Sequence, residues 1–345
     1  MTAPAAKAIY LKEYPTGMPR TDQFELRDYA LPDLNDGEVL LRAVWMSVDP
    51  YMRGRMRPDV KSYIPPFSLD APLSGGAVSE VVESKADGYA PGDYVVNMEG
   101  GWKSHSVAKA ETLTKVDANL APLSAYLGVL GMPGMTAWAG ITQILKPKEG
   151  ETVFVSGAAG AVGSLVCQLA KAKGARVVGS AGSAKKCDWL TNQAGADVAL
   201  NYKDYGDSAA LTKALMEAAP NGVDCYFENV GGDHLEAAIN AINFHGRIAL
   251  CGMISLYNLN EPQPGPSNLV WLIGRSVLMQ GFIVSNYMDK AMEFFGEVAP
   301  MLAQGKIKVE ETAYDGLEKA PSAFLGLFEG ENVGKAVVRV GPDRG

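Results

Sequence analysis

Apolar and polar positions follow two different rhythms along the chain. In the first third, short runs at Ala6 to Tyr14, Gly37 to Val48, Gly75 to Ser84 and Gly92 to Met98 mix β-branched and aromatic residues with polar ones. Turn signals such as Asp36-Gly37 and Pro91-Gly92-Asp93 separate them, which predicts short strands in an irregular barrel or sandwich. From about Ala125 the rhythm changes, and short apolar runs alternate with amphipathic stretches of helical length. Strands are predicted at Glu151–Val155, Arg176–Gly179, Asp197–Leu200, Val223–Phe227, Arg247–Leu250 and Leu278–Val284. Helices are predicted at Val162–Lys173, Lys185–Gln193, Ser208–Ala219, His234–Ile242 and Asp289–Gln304. This alternation predicts an α/β domain with a doubly wound parallel sheet. From about Lys306 the pattern returns to β and closes on GKAVVRV, a strand that needs partners from the first domain. The expected division is a mainly-β domain over 1–125, completed by 306–345, and an α/β domain over 126–305.

Two uncharged runs are long enough to raise a membrane question. Ala118 to Leu145 is broken by Pro122, Pro133, Gly128, Gly131 and Gly134, and Thr152 to Ala170 has a glycine turn at its centre. Buried soluble elements explain both better than a span does. The net charge of −8, from 31 basic and 39 acidic residues, argues against a nucleic-acid surface. Lys7, Lys12 and Glu13 interrupt any apolar core a secretory leader would need. Cys167, Cys187, Cys225 and Cys251 are dispersed, as are His105, His234 and His245, so no zinc cluster is expected. Reduced thiols fit a cytoplasmic protein.

The chemistry starts at SGAAGAVGS, Ser156 to Ser164. Gly157, Gly160 and Gly163 lie between a predicted strand and helix, where glycine lets backbone amides approach a pyrophosphate and the helix N-terminus favours negative charge. An acid about 20 residues on normally holds the adenosine ribose of such a ligand. Here Val178 is followed by Gly179, Ser180, Ala181, Gly182, Ser183, Ala184, Lys185 and Lys186, with no acid. Small residues and two cations in its place favour a 2′-phosphate, so the predicted cofactor is NADP(H). Lys186 would pair with that phosphate and Ser180 or Ser183 could donate to it. Tyr202 follows the third strand of this domain, Asn229 the fourth, and Cys251 to Asn258 the fifth, all on the edge where ligands bind in open α/β sheets.

VDPYMRGRM (48–56), GAAGAVGS (157–164), NYK (201–203), NVGG (229–232), CGMISLYN (251–258) and GENVGK (330–335) span the whole chain. Together they resemble the zinc-free branch of the medium-chain dehydrogenase/reductase superfamily, with its prostaglandin, alkenal and curcumin reductases. The resemblance implies a GroES-like substrate domain beside a Rossmann domain, and NADPH-dependent reduction of a carbon–carbon double bond conjugated to a carbonyl. It also implies a homodimer acting on a small unsaturated carbonyl compound. Carried over by position, cofactor contacts would come from Gly160, Ala161, Val162 and Gly163, then Lys186, Tyr202 and Asn229. Cys251, Gly252, Met253, Ile254, Ser255 and Tyr257 would follow, with Phe282, Ile283, Val284 and Asn332 completing the set. Tyr257 and Tyr51 would face the substrate. Glu228 departs from the Asp often found before Asn-Val-Gly-Gly in relatives.

Two other readings share this plan. One is a quinone reductase of the same branch, and the other is an NADPH-binding protein without catalysis. A zinc alcohol dehydrogenase would need ligands that residues 1–125, with His105 and no cysteine, do not supply.

Overall fold

Strands β1 (Ala6–Leu11) and β2 (Phe24–Tyr29) pair antiparallel as a ribbon of their own. A second sheet collects β3 (Glu38–Ser47), β4 (Ala77–Ser84), β5 (Tyr94–Asn97), β6 (His105–Lys109) and β7 (Thr114–Val116). β3 is its spine, pairing with both β4 and β6, and register shifts near Leu41 and Ala43 bend it. The computed structural model describes residues 5–344 and divides them into two units. One holds the described residues of Met1–Gly128 and Glu311–Gly345, and the other is Val129–Glu310.

The second unit opens with α1 (Met132–Ala139) and continues as β8 (Thr152–Val155), α2 (Ala161–Ala172), β9 (Arg176–Ala181), α3 (Ala184–Asn192), β10 (Val198–Asn201) and α4 (Ser208–Ala218). It is completed by β11 (Val223–Glu228), α5 (Asp233–Ala241), β12 (Ile242–Leu250), α6 (Val270–Gly274), β13 (Leu278–Gly281) and α7 (Ala291–Ala303). All six strands run parallel in the order β10-β9-β8-β11-β12-β13. The order reverses between β8 and β11, the switch point beyond whose carboxyl ends open α/β sheets bind their ligands. Every residue of β8 is buried, as a central parallel strand covered on both faces requires.

The chain then returns to the first unit with β14 (Glu311–Asp315), α8 (Ala320–Glu329) and β15 (Lys335–Arg339). β15 pairs with β14 and with β3, which buries the closing strand. The units part three residues after the expected first boundary, because the turn Leu123–Leu127 is buried and Leu127 packs beside Gly76. They part later than expected at the second boundary too, because Lys308 exchanges two backbone bonds with the Gln168 side chain of α2 (2.7 and 3.0 Å). The tail is not all β, since α8 covers the first-unit core through Ala323 and Phe324. No helix among the described residues is long and apolar enough to cross a membrane.

Candidate active site

The glycine turn joins β8 to α2. Gly157 has φ +57, a left-handed conformation, and a Cβ on Gly163 would stand 2.4 Å from the Gly157 oxygen. A side chain at 163 would therefore push the first turn of α2 off the strand end. Gly160 is the N-cap, and Ala161, Val162 and Gly163 lead the helix, where backbone N–H groups lack intrahelical acceptors. Ala158 N donates to Ser180 O (2.9 Å), fixing the turn to the end of β9. The cradle has the shape and polarity that a pyrophosphate requires.

Beyond β9, Ser183 caps α3 and its hydroxyl accepts weakly from Lys186 N (3.4 Å). Burial, with the nearby Lys203 charge, holds the Lys186 ammonium below the usual lysine range. An anion at this place would relieve both effects, which fits a phosphate. The Tyr202 hydroxyl lies where a Gly182 Cβ would be 2.8 Å away, so the glycine lets the phenol close over the turn. Ser180 is not available to a ligand. It is fully buried, and its hydroxyl is 2.8 Å from Nε2 of His234, itself buried and edge-on to Tyr202 at 5.1 Å. Burial pushes His234 down to about 4, so the imidazole is neutral near pH 7.

β11 ends on Glu228, and the turn after it lies beside the glycine turn because β8 and β11 are neighbours. Asn229 donates from its side chain to Ser156 O (2.7 Å), which ties the two strand ends together. The loop after β12 is seated on this turn: Cys251 N and Gly252 N donate to Glu228 O (3.0 and 3.1 Å), and Ile254 N donates to Asn229 O (3.1 Å). Tyr257 folds back over its own loop, its oxygen accepting from Met253 N (3.2 Å). That bond leaves the phenolic proton available to another acceptor. Burial raises the Tyr257 pKa, against the opposing Met253 bond, so the group is a neutral donor. Burial also pushes the Cys251 thiol up to about 12, leaving it protonated.

The strand expected to reach Val284 stops at Gly281. Phe282 N still donates to Leu250 O (3.3 Å) and its ring meets Phe227 edge-on, but Ile283 is extended outside the ladder and Val284 starts a 3-10 turn. In the first unit, Tyr51 sits on the turn Pro50–Met56, partly buried against the core. Burial, then the Asp49 charge, raises its pKa, so it too is protonated. A buried ion pair fixes the base of that turn: Lys335 Nζ meets Asp49 (3.3 Å) and donates to Val48 O and Ala336 O (2.9 and 2.7 Å). Asn332 donates to Gly334 O (2.8 Å) in the turn before β15.

Gly160 to Gly163, Lys186, Tyr202, Asn229, Cys251 to Tyr257 and Phe282 to Val284 thus belong to one unit, and Tyr51 and Asn332 to the other. The residue pattern did not reveal Ser156, Lys203, His234 or Glu228 as parts of this framework. Among the described residues, no three His, Cys, Asp or Glu side chains are grouped to hold a metal.

Two family profiles match, one described as the N-terminal domain of oxidoreductase over residues 7–116, the other as zinc-binding dehydrogenase over residues 161–301. The chain is 44% identical to the NADP(+)-dependent 2-alkenal reductase of Nicotiana tabacum, covering 97% of each protein. It is also 44% identical to prostaglandin reductase 1 of Bos taurus, over 97% of this chain and 99% of that one. The crystal structure of CurA from Vibrio vulnificus in complex with NADPH superposes with a TM-score of 0.91 at 39% identity, covering 98% of this chain and all of that one. The chain belongs to the zinc-free branch of the medium-chain dehydrogenase/reductase superfamily.

Proposed function

We propose that the protein reduces the carbon–carbon double bond of α,β-unsaturated aldehydes and ketones with NADPH. The observation that carries this reading is Tyr257, a neutral phenol on the loop after β12 whose oxygen accepts from Met253 N and whose proton is free to donate. The named relatives supply the substrate class. NADPH supplies a hydride to the β-carbon. The π electrons then move onto the carbonyl oxygen, giving an enolate, and a proton at the α-carbon completes the saturated carbonyl. Tyr257 donates to the developing oxyanion, and Tyr51 is a second candidate group for positioning the carbonyl. Gly160 to Gly163 hold the pyrophosphate, Lys186 and Tyr202 the 2′-phosphate end, and Asn229, Cys251 to Ser255, Phe282 to Val284 and Asn332 the remainder of the cofactor.

NADPH oxidation with alkenals, cyclic and aryl enones, a diarylheptanoid and quinones tests the reading. Enones should turn over fastest, and prolonged chelation should leave the rate unchanged. Faster turnover of quinones would favour a quinone reductase. Tight NADPH binding with no turnover would leave a binding protein, and zinc-dependent recovery after chelation would overturn the metal-free reading.

A cytoplasmic location fits four cysteines without a disulfide. A homodimer fits β13, an edge strand whose four residues are all exposed. Val270, Trp271, Ile273 and Leu278 add exposed apolar surface nearby, and such edges are usually covered. Light scattering should give twice the chain mass for the wild type. Ile273→Asp combined with Leu278→Asp should give the single-chain mass with folding retained. An unchanged mass would move the interface elsewhere.

A further inference from the structure

Glu228 ends β11 with its side chain fully buried. Its Oε1 accepts three hydrogen bonds, from Ser156 Oγ (2.7 Å), Val230 N (2.6 Å) and Gly231 N (2.9 Å). Ser156 Oγ in turn accepts from Asn229 N (2.9 Å). The turn shaped in this way is the seat of the next loop. Val230 O accepts from both Ser255 N (3.0 Å) and Ser255 Oγ (2.6 Å), Asn229 O accepts from Ile254 N, and the Glu228 carbonyl accepts from Cys251 N and Gly252 N. One side chain therefore touches, directly or through one further bond, the end of β8, the 229–231 turn and the loop that carries Tyr257.

A carboxyl is a costly way to fill buried space. Burial raises the Glu228 pKa, with the Gly231, Ser156 and Val230 bonds opposing it. The neighbouring Tyr226 hydroxyl is close enough to the carboxyl to oppose that rise as well, yet neither it nor Glu228 Oε2 meets a partner at full hydrogen-bond geometry, and both are buried. An apolar side chain would avoid these costs but would leave Val230 N and Gly231 N without their acceptor. The geometry that the carboxyl imposes on the turn is thus what distinguishes it from a packing residue.

We propose that Glu228 is a positioning residue whose buried carboxyl sets the 229–231 turn and, through it, the placement of Tyr257. The consequence for catalysis rests on the double-bond reductase reading given above. Glu228→Leu keeps the volume but removes the acceptor of the Val230 and Gly231 amides, whereas Glu228→Gln keeps an acceptor oxygen at the same reach. In full-length protein without cofactor, Glu228→Leu should speed hydrogen exchange at the amides of Cys251, Gly252, Ile254 and Ser255, and Glu228→Gln should keep exchange slow.

With an enone and NADPH, Glu228→Leu should lower kcat about five- to tenfold, the scale of coupling between residues in one hydrogen-bond network. Glu228→Gln should keep most of the wild-type rate. In a Tyr257→Phe background the same Leu substitution should cost less than about twofold, because its effect runs through Tyr257. Glu228→Met, more flexible and equally without an acceptor, replaces Glu228→Leu if the Leu variant does not melt cooperatively. Unchanged loop exchange and kcat in the apolar variant would overturn the proposal. So would its full loss in the absence of the Tyr257 hydroxyl. If the wild type reduces no enone, the assigned reaction fails, while the exchange comparison still decides whether Glu228 sets the loop.

Discussion

Replacing Lys186 with Ala is expected to weaken NADPH binding about 10- to 150-fold and to leave NADH binding nearly unchanged. The range corresponds to one charge-assisted hydrogen bond of about 1.5–3 kcal/mol. Two structural features favour a real pairing over a solvated helix start. Lys186 is half-buried and lies near Lys203, so burial and a like charge both disfavour its ammonium, and a phosphate would oppose both effects. The 2′-phosphate is the only part of NADPH that NADH lacks, so the loss should be confined to it. Fluorescence titration with both cofactors measures the difference, and equal losses would show that Lys186 acts through the start of α3 instead. A pH arm adds a sign. Burial and the Lys203 charge hold this ammonium below the ordinary lysine range, so NADPH affinity should fall as pH rises through that lowered pKa. NADH affinity should stay level over the same window.

What the residue pattern disclosed depended on whether the physical cause was local. The buried run Thr152–Val155 followed by glycines was legible, because a fully covered parallel strand has no polar alternation and the turn needs glycine at Gly163. β2 was not, because Phe24–Tyr29 reads FELRDY and is mostly exposed, held as a strand by its ladder with β1. α8 was hidden for the opposite reason: Ala320–Glu329 carries Pro321 in its first turn and sits between two strands, where a continuing β pattern was the simpler reading. The cofactor preference was legible from the missing acid after β9. The partners of the neighbouring side chains were not, since Ser180 meets His234 54 residues away and Ser156 meets Glu228 72 residues away. The Ser156–Glu228 pair arises from the parallel ladder that sets β8 beside β11, the Ser180–His234 pair joins β9 to the start of α5, and no local signal announces either.

Removing the Tyr257 hydroxyl should lower kcat while NADPH affinity stays near that of the wild type. Hydride arriving at the β-carbon drives negative charge onto the carbonyl oxygen, and a preorganised donor to such an oxyanion is worth about 10²–10³ in kcat. Three observations support the proposal that Tyr257 is that donor. Its oxygen is fixed by Met253 N, so the ring does not need to reorganise as charge develops. Burial keeps the phenol neutral, with its proton in place to donate. Its loop is seated on the turn after β11, at the edge of the sheet where the strand order reverses. Tyr51 remains as a second donor in the substrate reading, so partial compensation would reduce the loss to about tenfold on the same scale. Tyr257→Phe keeps the ring and its packing, which separates hydrogen bonding from shape. The measurement must be made where hydride transfer limits the rate, shown by a primary isotope effect with deuterated NADPH. A Phe variant with unchanged kcat under that condition would remove Tyr257 from the mechanism. A rise in KM for NADPH with kcat intact would instead make Tyr257 a packing residue for the cofactor, and the oxyanion donor would then have to be Tyr51.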